Sequence, residues 1–508
     1  MTTGRGKVYL IGAGPGDPGL LTLKGKRCLE EADIVVYDYL ANPRLLQFAK
    51  PAAERMYVGK QAGKHTLPQA EIGALLVARA REGKVVARLK GGDPFIFGRG
   101  GEEAEELADA GIPFEVVPGV TAAVAAPAYA GIPLTHRDFT STVAFVTGHE
   151  DPTKDDTGIA WDKLATGIGT LVCFMGVGQL PEIVHKLVSN GRSPETPAAV
   201  IRWGTRAEQQ VVTATLATLA ERCQGMKPPA LIVVGEVVAL REKLRWFESL
   251  PLAGKRILIT RAREQSSVLA QLLEAAGAEV VEFPTIAFQP PESWEPLDDA
   301  IRRLGEYDWV LFTSANGVRA FGERLQGAGQ DCRALAGKTV CAIGPATAAA
   351  LQSLGIRADL VPAEFRAEAL VQAIATRDLR GARMLLVRAA EAREVLPEEL
   401  TRRGARIDVV PAYRTVRAAG DVEEVRALLR DRKIQVATFA SSSTVKQFFA
   451  LLGPEAKALL AGVTVAAIGP ITAQTAAAHG VPCQVVPEQY TIPALVAALV
   501  THLAPETK

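Results

Sequence analysis

Residues 84–103 read KVVARLKGGDPFIFGRGGEE. A β-branched run that ends near Leu89 is followed by closely spaced glycines, and the stretch then opens a helical pattern. Strand, glycine-rich turn and helix in this order are typical of an open α/β sheet, in which ligands bind beyond the carboxyl ends of the strands. The glycines allow the backbone to bend at this strand end. The stretch therefore predicts an α/β fold and a place for a ligand.

Two side chains of this stretch are candidates for ligand contact. Asp93 can accept hydrogen bonds from a ribose or an ammonium group, and Arg99 can pair with a substrate carboxylate through its two-pronged guanidinium. The alternative is a plain glycine-rich turn that caps a helix. In that case Glu102 and Glu103 favour the helix by their interaction with its N-terminal dipole.

The same alternation of strand and helix signals continues along the whole chain. Short β-branched runs occur at 34–37, 231–234, 257–259 and 309–312, each followed by ten or more residues with helical periodicity. Alternating signals of this kind predict an α/β architecture with largely parallel sheets.

Length and charge limit the classes of protein. At roughly 150 residues per domain, the 508 residues indicate about three domains. The 57 lysines and arginines nearly balance 56 acidic residues, which argues against a general nucleic-acid binder. A hydrophobic content of 48% argues against disorder.

The six cysteines indicate neither a zinc site nor a disulfide framework. None has CxxC spacing, and no histidine lies at a ligand offset from another. The apolar run at 8–12 is too short for a signal peptide, and prolines and glycines interrupt the hydrophobic stretch at 116–134. We therefore expect a cytoplasmic protein with mostly buried, reduced thiols, no bound metal and no membrane partner.

A change of pattern divides the chain into two halves. Strand signals stop between 236 and 255, where a charged amphipathic stretch at 240–247 leads into Pro251 and Gly254. We expect a boundary near residue 252, which gives domains 1–252 and 253–508.

Three motifs of the second half occur twice, 125 or 127 residues apart. The pairs are 312–318 with 439–445, 342–348 with 467–473 and, more faintly, 256–261 with 383–388. A period this long indicates a duplicated domain rather than a solenoid. Two similar α/β lobes with a cleft between them are a common way to form a ligand site.

The first glycine-rich loop, GAGPGD at 12–17, is not a dinucleotide-binding loop. Asp17 stands where that fingerprint has its third glycine, and Pro15 removes a backbone donor. The pattern favours a tight turn that brings the backbone close to a different ligand.

The first half resembles uroporphyrinogen-III C-methyltransferase from residue 7 to about 247. The motifs that carry the resemblance are, in order, GAGPGD, VVYD, YVGKQAG, LKGGDPFIFGRGGEE, VPGVTAA, GIPLTHRD, FVTGH, FMGVGQL and PALIVVGEVV. The resemblance implies two stacked α/β subdomains with S-adenosylmethionine in the cleft between them. It also implies a homodimer and two methyl transfers onto uroporphyrinogen III, which give precorrin-2.

The resemblance also implies roles for individual residues. Asp38 matches the family's proposed proton acceptor and Lys60 its proposed donor, whereas a capping aspartate and a solvated surface lysine are the alternatives. Arg99 and Arg137, with Lys60, are candidates for binding the eight acidic arms of the macrocycle. Phe174 stands where the family often has tyrosine. The cofactor contacts implied are Pro15, Gly91, Gly92, Asp93, Ile96, Thr121, Ala122, Met175 and Gly204.

Related methyltransferases that act on later precorrins, on diphthine or on ribosomal RNA remain alternatives. The near-neutral charge argues against the RNA-modifying member. The intact GGDPFIFGRGGEE and THRD strings favour the uroporphyrinogen member by resemblance.

In the second half, hydroxyl side chains recur at strand-to-helix turns, without a GxSxG elbow or a P-loop. Hydroxyls and free N–H groups at helix starts bind anionic substrate groups, but each hydroxyl can also be a plain helix cap. Their duplication favours a two-sided anion-binding cleft. The candidate substrate contacts are Thr313, Ser314, Ser441, Ser442 and Thr472.

Residues 253 to about 500 resemble uroporphyrinogen-III synthase through GKRILITRAREQ, VVEFPTIAF, DWVLFTSANGV, AIGPATAAAL, VVPAYRT and AIGPITAQTA. The resemblance implies that one lobe contains about 253–290 and 415–508, and the other about 291–414. The implied reaction is loss of water from hydroxymethylbilane and ring closure with inversion of the last pyrrole. Tyr413 matches a family tyrosine near the leaving hydroxyl, and an ordinary half-buried strand tyrosine is the alternative.

The two implied activities are consecutive, because the product of the second half is the substrate of the first. The sequence thus predicts a bifunctional enzyme of tetrapyrrole biosynthesis on the sirohaem or cobalamin branch. The alternative is a methyltransferase for another precorrin, joined to a ligand-binding or regulatory module without turnover.

Overall fold

A computed structural model describes residues 6–59, 67–148, 158–260, 263–364, 366–375, 377–392, 394–417 and 422–504. The chain forms two compact units. One unit contains Met1–Arg256, Gln271–Val280 and Val500–Lys508, and the other contains Ile257–Ala270 and Val281–Leu499. The domain boundary near residue 252 and the lobe limits stay predictions.

The N-terminal elements form a five-stranded sheet in the order β3-β2-β4-β1-β5, with all four neighbouring pairs parallel. Its strands are β1 Lys7–Gly12, β2 Ile34–Tyr37, β3 Glu54–Tyr57, β4 Val85–Lys90 and β5 Phe114–Val117. The helices of this stretch are α1 Leu23–Glu31, α2 Gln69–Arg81, α3 Gly100–Asp109 and α4 Ala122–Tyr129. Helix α4 packs against a second sheet, which follows in the chain.

Helices cover both faces of this sheet, which is why its central strands are mostly apolar on both faces rather than on one. On one face Leu10 and Val36 pack with Leu76 of α2 and Leu107 of α3. On the other face the strand residues Ile11, Val35 and Leu89 pack with Leu29 of α1.

The parallel arrangement brings four chain turns to one edge of the sheet. The turns follow β1 at 13–17, β2 at Asp38, β4 at 91–93 and β5 at 118–121. In the register, Tyr37 is level with Leu89 and Gly12 is level with Lys90. This carboxyl edge is where open α/β sheets bind their ligands.

A second, mixed sheet has the order β6-β7-β10-β8-β9, in which only β6 and β7 are parallel. Since β7 and β8 both run antiparallel to β10, their carboxyl ends lie at the same edge. The strands are β6 Val143–Thr147, β7 Thr170–Phe174, β8 Pro197–Arg202, β9 Gln210–Thr215 and β10 Ala230–Val234. The helices are α5 Trp161–Gly167, α6 Leu180–Ser189, α7 Leu216–Arg222 and α8 Arg241–Leu244.

The remaining strands form a four-stranded sheet, β12-β11-β18-β19, and a five-stranded sheet, β13-β17-β16-β14-β15. They are β11 Arg256–Ile259, β12 Glu279–Glu282, β13 Ile286–Gln289, β14 Trp309–Phe312, β15 Thr339–Ala342, β16 Arg383–Ala389, β17 Arg406–Arg417, β18 Val436–Phe439 and β19 Thr464–Ala467. The first helices are α9 Arg263–Ala275, α10 Glu295–Arg302, α11 Ala315–Gly327, α12 Pro345–Ser353, α13 Ala367–Ile374 and α14 Val395–Arg402. The last are α15 Val422–Arg430, α16 Ser442–Leu452, α17 Ala456–Leu459, α18 Pro470–Ala478 and α19 Ile492–Leu503.

The two sheets of this half repeat one pattern. Parallel neighbours β11-β18-β19 in one sheet correspond to β16-β14-β15 in the other, as the sequence pairs predict. Phe312 packs edge-on against Phe321 with ring centroids 5.3 Å apart, and Phe439 packs against Phe448 at the same 5.3 Å. The α/β fold class and the duplication in the second half are confirmed.

All six cysteines are described and are free thiols. Cys28, Cys173, Cys223 and Cys341 are buried, whereas Cys332 is exposed. Within the described ranges, no helix combines the length and the apolar character that crossing a membrane requires. In the same ranges, no three or more His, Cys, Asp or Glu side chains are grouped so as to hold a metal ion.

Candidate functional site

Three glycine-containing turns approach one another at the carboxyl edge of the first sheet. Gly92 N–H donates to Gly14 O at 2.8 Å, and Gly14 N–H donates to Gly92 O at 3.2 Å. A Cβ atom added to Gly12 would lie 2.5 Å from Gly119 Cα and 2.7 Å from Gly92 O, closer than real Cβ atoms approach backbone. Gly14 and Gly92 also have φ angles of +75° and +69°, which glycine adopts at little cost. The turns are therefore held together backbone to backbone.

Asp93 fastens the turn after β4 to the turn after β5. Its Oδ1 accepts from the N–H of Phe95 at 2.8 Å, and its Oδ2 accepts from the N–H of Gly119 at 2.9 Å. Each carboxylate oxygen has more than one acceptor position, so a ligand donor can still bind there.

Asp38 follows β2 and stands at the same edge. Its Oδ1 accepts from the N–H of Leu40 at 3.1 Å, and its Oδ2 accepts from Arg88 Nη2 at 3.3 Å. The Asp38 side chain is 24% exposed, so it is accessible from the cleft, while the buried Arg88 holds it from the sheet side. Lys60, the second residue implied in proton transfer, lies outside the described residues.

The turn after β8 packs against the first subdomain. Trp203 contacts Tyr39 with ring centroids 5.7 Å apart, and Asp17 N–H donates to Thr205 Oγ1 at 3.1 Å. A Cβ atom on Gly204 would collide with Ala126 of α4. The two subdomains therefore meet around the carboxyl edges of their sheets.

The other implied cofactor contacts lie on the same turns. Pro15 and Gly91 are part of the turns after β1 and β4, and Ile96 is exposed beyond the latter. Thr121 caps α4 by accepting from Ala123 N–H at 3.4 Å, and Ala122 is the first residue of that helix. Met175 follows β7 and is exposed.

Unusual backbone conformations concentrate around this cleft. Six non-glycine residues in the described ranges have positive φ, and five of them follow β4, β7 or β8. Such conformations cost on the order of 1–3 kcal/mol each and cluster at functional sites. The five are Phe97, Arg99, Met175, Trp203 and Thr205.

Arg99 and Arg137, the residues implied for the acidic arms, are both exposed. Arg99 donates to Glu102 through Nε at 3.0 Å and through Nη2 at 2.5 Å. This hydrogen bonding holds the pKa of Glu102 below its usual value. Arg137 lies in the turn that His136 and Thr140 close by a backbone hydrogen bond of 3.1 Å.

Two charged residues beneath this edge, Arg88 and Lys90, were not predicted from the sequence, and Glu103 was predicted only to favour a helix N-terminus. Arg88 and Lys90 project from β4 onto Glu103 of α3, with 3.2 Å from Arg88 Nε and 2.8 Å from Lys90 Nζ to Glu103 Oε1. Burial lowers the pKa of Lys90. The sequence pattern suggested that Glu103 favours the helix N-terminus. In the structure its side chain is also fully buried and pairs with two cations. The sequence did contain one sign of this cluster, namely two charged residues two positions apart in an otherwise apolar central strand.

In the second half, the candidate hydroxyls include two helix caps. Ser314 Oγ accepts from Gly317 N–H at 3.0 Å at the start of α11. Ser441 and Thr444 form a reciprocal capping box at the start of α16, with both hydrogen bonds at 3.2 Å. Their binding of an anionic substrate stays a prediction.

The other candidate hydroxyls also lie at turns or helix starts. Thr313 is half-buried at the turn after β14, and Thr472 is buried in the first turn of α18. Ser442 Oγ accepts from Thr475 Oγ1 at 2.9 Å. Substrate contact by these three residues likewise stays a prediction.

Tyr413 is half-buried on β17, beside one of these caps. Its ring packs edge-on against Phe288, with centroids 5.4 Å apart, and the Ser314 side chain is near enough to its hydroxyl to lower the pKa of the phenol somewhat. Burial raises the pKa of the phenol, so it is protonated at neutral pH. The structure therefore brings Tyr413 and Ser314 together.

Comparison with known proteins identifies both halves. Residues 7–220 match the family of tetrapyrrole (corrin/porphyrin) methylases, and residues 267–497 match the uroporphyrinogen-III synthase HemD family. A porphyrin biosynthesis protein HemD of Ruminiclostridium josui is 39% identical over 493 residues, which cover 97% of this chain and 97% of that relative. The chain belongs to the family of fused tetrapyrrole methylases and uroporphyrinogen-III synthases.

Two further relatives match the methylase half. An S-adenosyl-L-methionine-dependent uroporphyrinogen III methyltransferase of Methanosarcina barkeri is 54% identical over 246 residues, 48% of this chain and 96% of that protein. A crystal structure of a uroporphyrin-III-C-methyltransferase from Thermus thermophilus is 46% identical, covers 47% of this chain and 96% of that chain, and has a TM-score of 0.40. The resemblance of each half to its family is confirmed.

Replacing Gly12 by alanine is expected to destabilise the methylase half. The added methyl group meets backbone atoms that cannot move aside, so the free energy of unfolding falls by about 1–3 kcal/mol. Differential scanning calorimetry measures the change. Gly101→Ala is the matched control, because nothing lies within 4 Å of an added Cβ atom there. An unchanged unfolding transition in Gly12→Ala would contradict the close approach of the turns.

Proposed function

We propose that this methylase–synthase carries out two consecutive steps of tetrapyrrole biosynthesis. Residues 253–508 close hydroxymethylbilane to uroporphyrinogen III, and residues 1–252 methylate that product twice to give precorrin-2. The observation that carries the proposal is the 39% identity to a porphyrin biosynthesis protein along 97% of both chains, across both halves. Precorrin-2 is an intermediate on the route to sirohaem or to a corrinoid, so one of these is the end product.

The test is an anaerobic incubation of hydroxymethylbilane and S-adenosylmethionine with the purified full-length protein, followed by the absorbance spectrum of precorrin-2. Formation of precorrin-2 supports both activities. Accumulation of uroporphyrinogen I, the isomer that forms without an enzyme, contradicts the synthase activity. Accumulation of unmethylated uroporphyrinogen III contradicts the methylase activity.

The carboxyl edge of the first sheet fits S-adenosylmethionine. Close-packed glycines leave backbone groups, rather than side chains, facing the cleft, so a nucleoside can approach the main chain. When bound, S-adenosylmethionine supplies a methyl group on a positively charged sulfur. The residues that would hold it are those at the strand ends, namely Pro15, Gly91, Gly92, Asp93, Ile96, Thr121, Ala122, Met175 and Gly204.

The chain's own contribution to methylation is to orient the macrocycle and remove a proton from it. Each new carbon–carbon bond at a pyrrole carbon requires the macrocycle to lose one proton, and Asp38 accepts it. Exposed apolar side chains around the cleft give a surface suited to the macrocycle, among them Leu40, Phe95 and Met175. Arg99 and Arg137 bind its carboxylate arms through charge-assisted hydrogen bonds.

Asp38→Asn is expected to slow methylation by at least about a hundredfold, because an amide cannot take up the proton. Uroporphyrinogen III then accumulates when hydroxymethylbilane and S-adenosylmethionine are supplied together. Chromatography of the oxidised products measures both compounds. Asp109→Asn, which changes an exposed carboxylate of α3, serves as the control and should methylate at the parent rate. Normal precorrin-2 formation by Asp38→Asn would exclude the aspartate as the base.

The synthase half acts mainly by folding its substrate. Hydroxymethylbilane loses its hydroxyl readily and closes unaided to the wrong isomer, so control of conformation matters more than strong catalysis. Tyr413 donates a proton to the leaving hydroxyl, the carbon–oxygen bond breaks and water departs. Thr313, Ser314, Ser441, Ser442 and Thr472 bind the acidic arms from both lobes.

Tyr413→Phe is expected to slow formation of the III isomer by at least about tenfold, because the proton donor is lost. Methylation of supplied uroporphyrinogen III stays at the parent rate. The ratio of isomers I and III, separated by chromatography after oxidation, is the measurement. Tyr307→Phe removes another hydroxyl of the same half, which is bonded to Asp408, and should leave the ratio unchanged. A parent-like ratio in Tyr413→Phe refutes its role.

We further propose that the protein works in the cytoplasm, without a metal, as a homodimer formed through the methylase half. Sedimentation velocity of the full-length protein should give a single species of twice the chain mass of 53.9 kDa. A monomer at micromolar concentration would contradict the dimer.

A further inference from the structure

Four charged groups lie together beneath the carboxyl edge of the first sheet. Arg88 and Lys90 come from β4, Glu103 from α3 and Asp38 from the turn after β2. The side chains of Arg88 and Lys90 are each 4% exposed and that of Glu103 is 0% exposed. Only Asp38, at 24%, is partly accessible from the cleft. We call these residues the charge cluster.

Glu103 is the anchor of the charge cluster. Its Oε1 atom accepts from Lys90 Nζ at 2.8 Å, from Gln69 Nε2 at 3.0 Å and from Arg88 Nε at 3.2 Å. Its Oε2 atom finds no hydrogen-bond donor among the residues that the structure describes. Glu103 therefore holds Lys90, Arg88 and the Gln69 amide through a single oxygen atom.

Arg88 is fixed by all three of its guanidinium nitrogens. Nε donates to Glu103, Nη1 donates to the carbonyl of Leu89 at 3.2 Å, and Nη2 donates to Asp38 at 3.3 Å. A planar guanidinium held at three points cannot rotate without breaking a bond. The direction of the Nη2–H bond toward Asp38 is thus set by the sheet and by α3.

Asp38 has one further fixed donor. The N–H of Leu40 donates to Oδ1, while Arg88 takes Oδ2, so each carboxylate oxygen has a defined partner. The charges also balance, because two cations face the carboxylates of Glu103 and Asp38. Tyr57 of β3 faces Asp38 as well, and burial raises the pKa of its phenol, so it adds no charge at neutral pH.

Stability alone does not explain buried charges at this place. A buried ion pair seldom stabilises a fold more than apolar residues of the same shape, because removing the charges from water costs several kcal/mol per ion. The remainder of this sheet face consists of residues such as Leu10, Val36 and Val86, which are fully buried. The buried charged residues of this face lie toward the carboxyl end of β4 and in the first turn of α3, next to Asp38.

We propose that Arg88, anchored by Glu103, is a positioning residue that fixes the orientation of the Asp38 carboxylate for proton uptake during methylation. The inference rests on the proposed methylase function. Arg88 acts through Asp38 and makes no contact with the macrocycle. Its removal should impair the chemical step and leave binding of both substrates intact.

The experiment is a double-mutant cycle in the full-length protein, with Arg88→Gln, Asp38→Asn and the combination of the two. Initial rates of methylation of supplied uroporphyrinogen III give kcat and KM. Arg88→Gln should lower kcat at least about tenfold and leave both KM values within about twofold of the parent. The double variant should be no slower than Asp38→Asn alone, because an orienting group has no effect once the base is gone.

Two further variants separate positioning from a general loss of structure. Arg88→Lys keeps the charge but cannot form three fixed bonds, and it should recover part of the lost kcat. Glu105→Gln removes an exposed carboxylate of the same helix as Glu103 and should keep parent kinetics. If Arg88→Gln does not fold, Arg88→Lys takes its place in the cycle, because lysine keeps a cation beside both Glu103 and Asp38.

The outcomes distinguish this inference from the proposed function. If the parent protein transfers no methyl group, the proposed function fails. If the parent is active and Arg88→Gln slows Asp38→Asn by the same factor as it slows the parent, Arg88 does not act through Asp38 and the positioning role is wrong. A rise in KM with unchanged kcat would also overturn it, because that pattern assigns Arg88 to substrate binding.

Discussion

The close approach of three backbone turns at one sheet edge is the constraint on which the methylase half depends. Gly12, Gly92 and Gly119 lie so near one another that a single methyl group has no room between them. Because the strands before these turns are parallel and in register, the turns meet at the edge where a ligand binds. The packed strands of the first sheet fix the positions of these turns, and the turns determine the shape of the cleft at the carboxyl edge.

The same edge carries two kinds of energetic cost. Positive φ angles at Phe97 and Arg99 are unfavourable, and so is the burial of Arg88, Lys90 and Glu103. Partners offset the second cost, since each buried cation has a carboxylate within 3.2 Å or less. Such features persist because the surrounding sheet holds them, and both occur at the edge where we propose that the substrate is held and deprotonated.

The sequence predicted the elements better than the partners of charged side chains. The runs at 34–37 and 309–312 coincide with β2 and β14, because a buried parallel strand leaves an unmistakable apolar run. The repeated motifs predicted the two related sheets of the synthase half, because phenylalanines at equivalent positions of the repeat fill the two cores. These inferences depend on local pattern, which the sequence contains.

Glu103 shows why other features could not be predicted. An acidic residue in the first turn of a helix has a common, sufficient explanation in the helix dipole, and only the tertiary fold brings it to Arg88 and Lys90. Ser314 and Ser441 are similar, because a cap and an anion contact require the same residue at the same turn. Contacts between distant segments decide these cases, and no local pattern contains them.

Isothermal titration calorimetry of S-adenosylmethionine into the full-length protein tests the central claim most directly, since we propose that the glycine-lined edge binds that molecule. Saturable heat with one molecule bound per chain, lost in a variant that separates the turns, is the result expected here. Absence of binding by the folded parent protein would contradict the account.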